Sequence, residues 1–125
     1  METTTLRNTW DAYAGSWKLT TAEEKRARFK SCLSPACVYR DPLAVARGWD
    51  ELVEYMMAFH QQIPGGHFVT ERFIAHHGRS MAAWKMMSGD GVVLGDGVSY
   101  GEYDEEGRLI SMNGFYDVPA GAPGA

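Results

Sequence analysis

The chain has 125 residues, 45% of them apolar, which is enough for one domain whose core needs neither disulfides nor a metal to hold it. Its net charge of −4 is spread over interspersed acidic and basic side chains, so no basic stripe is available for phosphates and nucleic acid is excluded as the expected partner. No apolar run approaches the ~18 residues of a membrane span, and the polar, threonine-rich residues 1–7 do not read as a leader, so a cytoplasmic chain that engages no membrane is expected.

Leu6, Trp10, Tyr13 and Trp17 recur at helical spacing behind the threonines at 3 to 5, which predicts a first helix over residues 5–19 with a threonine cap. Thr21-Ala22-Glu23-Glu24 has the form of a capping box and opens a second helix, expected to run to Leu33 before Pro35 ends it. Cys32 and Cys37 flank that proline. They are expected to be reduced, with Cys32 on the helix face and Cys37 opening a strand, and two lone thiols make no zinc site. Tyr39 and Arg40 continue the strand to Asp41, which Pro42 pushes into extended geometry, so Asp41 shares a face with Tyr39 and Cys37. Residues 43–48 read as a loop with a short extended piece. Leu52, Tyr55, Met56, Phe59 and Ile63 then mark a third helix, with Asp50 and Glu51 in its first turn and Pro64-Gly65-Gly66 as its stop.

From His67 the pattern turns to extended segments over residues 67–77, 80–87, 92–103 and 108–117. Gly78-Arg79, Ser88-Gly89-Asp90-Gly91 and Asp104-Glu105-Glu106-Gly107 separate them with hairpin chemistry, which predicts an antiparallel meander. Gly95, Gly97 and Gly101 interrupt the third segment and imply a strongly curved sheet. Residues 119–125 are Pro, Gly and Ala, and read as a flexible tail behind a single domain of residues 1–118. Helices followed by a curved sheet give an α+β domain: three helices pack on a mostly antiparallel sheet whose concave side lines a pocket. Lys85 prefers water, so Ala82, Trp84 and Met86 take the concave side by alternation. Trp10, Tyr13, Tyr55 and Phe59 are candidates to reach that pocket from the helices and Tyr39 from the first strand, unless they simply form the core. His76 and His77, as strand neighbours, point to opposite faces and cannot chelate one ion, so no metal is expected. One of them, with His76 as the candidate, is expected to face the pocket as a hydrogen-bond donor or proton shuttle; the alternative is a satisfied sheet histidine.

Tyr39-Arg40-Asp41-Pro42, Gly48, the helix from Leu52 to Phe59, Pro64-Gly65, His76-His77-Gly78-Arg79, Trp84 and the run from Gly101 through Gly107-Arg108-Leu109 span nearly the whole chain. Their order and spacing resemble the nuclear transport factor 2-like superfamily, in its SnoaL-like branch of polyketide cyclases related to ketosteroid isomerase. The resemblance implies a conical α+β barrel, often dimeric, around a deep apolar pocket whose chemistry differs among members. Asp41 stands at the position of the general base of ketosteroid isomerase; its other reading is an Asx-type turn, or an ion pair with Arg40 or Arg47. The second carboxylate of that isomerase falls at Ser99, and a serine cannot donate as a neutral carboxylic acid. Asp96 lies on the opposite face, and the Arg-x-Asp of the epoxide hydrolases of this fold is missing. Tyr13, the pocket-facing histidine and the Trp10 indole N–H are the substitutes, and Tyr13 is favoured because a phenol is the strongest neutral donor among them. Neither a dinucleotide fingerprint nor a phosphate loop occurs, and no cofactor is expected. The expected function is a cofactor-independent isomerase, cyclase or dehydratase of a small apolar carbonyl compound, with Asp41 as base. The alternative is a non-catalytic module for a hydrophobic ligand or for dimerisation, and a homodimer through the outer sheet face is expected in either case.

Overall fold

The computed structural model describes residues 2–118, so the expected tail at 119–125 lies outside the described residues. Three helices form, α1 (Thr3–Ser16), α2 (Ala22–Cys32) and α3 (Gly48–Gln62), with six strands, β1 (Leu33–Arg40), β2 (Val45–Arg47), β3 (His67–His76), β4 (Arg79–Met87), β5 (Val93–Tyr103) and β6 (Leu109–Phe115). The threonine cap on α1 does not form. A cap needs extended backbone, which Glu2 supplies at φ −77° and ψ 151°, while the threonines are already helical. The box on α2 forms as written: Thr21 Oγ1 accepts the Glu24 N–H at 3.1 Å and donates to Glu24 Oε1 at 2.8 Å. Pro35 does not precede the first strand but lies inside it, where the register between β1 and β6 shifts between Leu33 and Val38 and a missing amide is tolerated. Cys37 therefore sits within β1 instead of opening it; both thiols are free and buried, and burial raises Cys32 to about 12 and Cys37 to about 11, which leaves them unreactive.

The strands form one sheet in the order β2-β1-β6-β5-β4-β3, antiparallel throughout except for the parallel pair β1 and β6. The meander from β3 to β6 carries the chain back beside β1, so the end of β1 faces the end of β6. The first hairpin turns one residue earlier than expected: His76 pairs with Arg79, and His77 and Gly78 form the two-residue turn with φ of 47° and 73°. His77 is thus no strand residue.

On the concave face, Ala82, Ser99 and Gly114 share one cross-strand row, and Trp84 lies opposite Gly97 in the next. Gly97 is glycine because the Trp84 ring crosses it; a Cβ there would lie 2.5 Å from Trp84 Cζ2 and 2.6 Å from the Phe115 carbonyl oxygen. Lys85 points to the convex face, where it pairs with Glu71 at 3.3 Å. The helices pack onto the concave side through Leu6, Trp10, Tyr13, Phe29, Leu52 and Met56, which meet Leu33, Leu109 and Met112 in a continuous buried core. No helix among the described residues is long and apolar enough to cross a membrane.

Candidate functional site

Asp41 follows directly on β1, and its two carboxylate oxygens have different surroundings. Oδ1 accepts the backbone N–H of Leu43 at 2.8 Å and of Ala44 at 2.9 Å, the Asx-type turn that an Asp-Pro corner favours. Oδ2 accepts the hydroxyls of Tyr39 at 2.6 Å and Tyr55 at 2.7 Å, the first from the same face of β1 and the second from α3. Tyr116, just past β6, packs beside Trp84, and Asp41 and Tyr55 both act on its hydroxyl. Burial, and beyond it the neighbouring carboxylate, raises Tyr116 to about 12 and moves Tyr39 and Tyr55 upward as well, so all three phenols keep their protons. The ion pairs found among the described residues leave Asp41 out, so the alternative of an Arg40 or Arg47 partner is not realised.

Aromatic rings wall the space beside this cluster. Trp17 lies 5.7 Å from Tyr39, 5.5 Å from Phe59 and 5.3 Å from Phe68, measured between ring centroids. Phe68 in turn meets Trp84 edge-on at 5.1 Å, and Trp84 meets Tyr116 at 6.1 Å. Tyr55, Phe59, Phe68, Trp84 and Tyr116 are only half buried, so they form a rim and not a sealed core. Met86 shares the concave face of β4 with Trp84, opposite Phe68. The Trp84 indole N–H donates to Ser99 Oγ at 2.9 Å. Gly114 separates Ser99 from Asp41, and a Cβ on it would lie 3.7 Å from Asp41 Cβ and 3.8 Å from Ser99 Oγ. Two clefts lie along α2, one over Leu19 and Arg28 and the other over Arg26 and Trp49, and neither is lined by Asp41.

The structure thus brings Asp41, Tyr39, Tyr55, Phe59, Trp84, Met86 and Ser99 to one end of the cone, holds Tyr13 behind Trp17 and leaves Trp10 and His76 elsewhere. The Trp10 indole N–H donates to Thr70 Oγ1 at 3.2 Å, and its ring packs on Tyr13 and Phe73 in the core. Tyr13 is buried, accepts the Trp17 N–H at 3.2 Å and is raised by burial; it is a core phenol. His76 is exposed at the hairpin, with its Nδ1 3.1 Å from that of His77. Neither imidazole faces the concave side, because the turn at His77 ends the alternation on which that expectation rests. Three site residues escaped the sequence reading. Tyr116 is two residues from Gly114 on the inward face, Phe68 pairs with Met86, and Trp17 closes the first helix stripe; strand parity and helix period were the available signals.

Among the described residues no three His, Cys, Asp or Glu side chains gather as metal ligands. Three helices closing a curved six-stranded sheet, with a carboxylate where the first strand ends, define a protein of the nuclear transport factor 2-like fold. The SnoaL-like domain model matches residues 17–112, and the chain belongs to the SnoaL-like family. A proposed isomerase of that family from Agrobacterium tumefaciens str. C58 superposes with a TM-score of 0.83 at 24% identity, over 92% of this chain and 99% of the other. A proposed SnoaL-like polyketide cyclase from Jannaschia sp. CCS1 superposes at 0.73 and 14% identity, over 91% and 86% of the two chains. TerC co-crystallised with polyporic acid gives 0.73 at 13% identity, over 90% and 92%. Likeness at these identities is likeness of fold. No curated protein matches the chain.

Proposed function

We propose that this protein is a cofactor-independent acid–base enzyme, an isomerase, cyclase or dehydratase, that takes a small apolar carbonyl compound at the Asp41 end of the cone. The observation that carries the reading is the split environment of Asp41: Oδ1 is fixed by two backbone amides, while Oδ2 points among phenols and half-buried rings. At rest, Oδ2 is occupied by the two phenol hydroxyls. A flat ligand that enters against Phe59 and Trp84 turns Tyr55 away from Asp41, and Oδ2 is then open to a C–H bond that lies beside it. Asp41 then takes the proton next to the carbonyl, the electron pair of that bond passes to the carbonyl oxygen as an enolate, and the proton returns at another carbon or a leaving group departs. The isomerase and cyclase proposals made for structural neighbours, and the polyporic acid held by TerC, support the same class of ligand.

A second reading, a non-catalytic module for a hydrophobic ligand or for dimerisation, draws on the Oδ1 turn, since Asp41 already has a structural task there. We propose a homodimer for either reading, with the convex sheet face as its seam. The setting proposed is the cytoplasm, where Cys32 and Cys37 remain free thiols.

The experiment is a thermal-shift panel of apolar cyclic ketones, followed by turnover of any ligand found. Asp41→Asn keeps an oxygen for the Leu43 and Ala44 amides and loses the second acceptor, so it is expected to bind the ligand and not convert it. Binding and turnover at the wild-type level in that variant would remove Asp41 as the base and leave the binding module standing.

A further inference from the structure

An enolate formed beside Asp41 needs a donor on the far side of the carbonyl, and the three donors expected from the sequence do not stand there. The Trp10 N–H is engaged by Thr70, Tyr13 lies in the core beside Trp17, and His76 is exposed on the hairpin. Tyr39 and Tyr55 direct their protons at Asp41 itself. Across Gly114 from Asp41 stands Ser99.

Ser99 Oγ accepts the Trp84 indole N–H at 2.9 Å, and no acceptor for its own proton occurs among the hydrogen bonds of the described residues. A hydroxyl that accepts a good N–H donor becomes a better donor in turn, because bonds in a chain polarise one another. The indole is fixed by a lack of side chain: it crosses Gly97 at a distance that no Cβ would allow, so its N–H has one direction. Gly114 likewise places no atom between the carboxylate and the hydroxyl. We propose that the Ser99 hydroxyl, held by the Trp84 indole N–H, is the oxyanion donor of this site, with the carbonyl oxygen seated above Gly114. The inference rests on the reading of Asp41 as the base and supplies the half of the chemistry that reading lacks. In the step itself Asp41 Oδ2 gains the proton, the C–H pair moves to the carbonyl oxygen, and Ser99 donates a hydrogen bond to that oxygen without giving up its proton. Ser99 is then a catalytic residue and Trp84 a positioning one.

The probe is 2-naphthol, whose phenolate mimics an enolate, with naphthalene as the shape control, each titrated by fluorescence against the full chain. Ser99→Ala is expected to weaken 2-naphthol about tenfold, the worth of one hydrogen bond to a charged acceptor. Trp84→Phe keeps a ring over Gly97 and removes the N–H, so it is expected to weaken 2-naphthol by a similar factor, and the double variant no more than Ser99→Ala alone, because Trp84 acts through Ser99. Naphthalene affinity stays unchanged in Ser99→Ala, which shows that the fold and the aromatic walls persist; in the two variants that carry Trp84→Phe it falls with the smaller ring, and the hydrogen-bond loss is read as the fall in 2-naphthol affinity beyond that of naphthalene. Asp41→Asn removes a negative charge next to the bound phenolate and tightens 2-naphthol. If 2-naphthol binds and responds to Asp41→Asn while Ser99→Ala has no effect, or if the Ser99 and Trp84 effects simply add, this inference falls and the Asp41 reading survives. If neither probe binds the wild type, both fall together.

Discussion

Asp41 shows how the two edges of one carboxylate can be held in different ways. One oxygen makes the turn, and the other is held by groups that can rotate. The glycines around it carry opposite expectations. Gly97→Ala places a methyl 2.5 Å from Trp84 and 2.6 Å from backbone, so it is expected to destabilise the fold by about 1–3 kcal/mol, read as a lower denaturant midpoint. Gly114→Ala meets only ordinary contacts at 3.7 Å and 3.8 Å; its midpoint is expected to stay near wild type while 2-naphthol affinity is lost, because the methyl fills the seat of the oxygen. A Gly114→Ala that binds normally would show that the ligand sits elsewhere. Asp41, Tyr39 and Trp84 were legible from the sequence, since strand parity and the proline after Asp41 assign their face without knowledge of the partners, and Ser99 was reached only through the family resemblance. Tyr13 was not, because helical spacing says that a phenol is inward but not whether it ends in a site or in the core.

Each helix meets the others at Lys25, which is buried on α2 without a carboxylate partner among the described residues. Its Nζ donates to the Ser16 carbonyl oxygen at the end of α1 at 2.7 Å and lies 2.9 Å from His60 Nε2 in the last turn of α3. Burial lowers Lys25 to about 8 against a slight opposing pull from Glu24, and burial with the Lys25 charge lowers His60. Between about 8 and the ordinary lysine value the unfolded chain carries a proton that the folded one has released, so this group adds stability as pH rises through that window. Wild type is therefore expected to gain denaturant midpoint over Lys25→Met between pH 8 and pH 10, a comparison in which the tyrosines cancel. An unchanging gap would mean that Lys25 stays charged in its buried place. His60 adds the same sign at lower pH: its stability contribution is lost on acidification below the ordinary histidine range. At this scale the local signals were reliable and the junctions were not. The Thr21 box depends on four consecutive residues and was legible, whereas the turn at His77 requires a positive φ from a non-glycine, and Pro35 inside β1 requires a register shift that only pairing with β6 creates.

The molecule as a whole leaves its convex sheet face uncovered by helices, and the apolar row Ala83, Val98 and Phe115 lies there beside Ile74 and Met81. Val98, Phe115, Ile74 and Met81 are exposed in the single chain, more apolar surface than scattered residues would give. Light scattering at micromolar concentration is expected to give twice the 13.9 kDa chain mass, and Phe115→Glu to return it to the single mass; a wild type that scatters as 13.9 kDa would remove the dimer. Fold class was legible at this scale because helix-then-strand order and glycine spacing are global patterns, whereas the residues that make up the outward apolar row become visible only once strand register is known. The most direct measurement concerns the proton that the site is built to move. A ketone found to bind is incubated with the protein in deuterated water, and exchange at the carbon beside the carbonyl is followed by NMR. Wild type is expected to exchange that position, and Asp41→Asn to lose the exchange at least about a hundredfold while still binding, the lower end of the general-base range. Equal exchange in the two proteins would contradict the account.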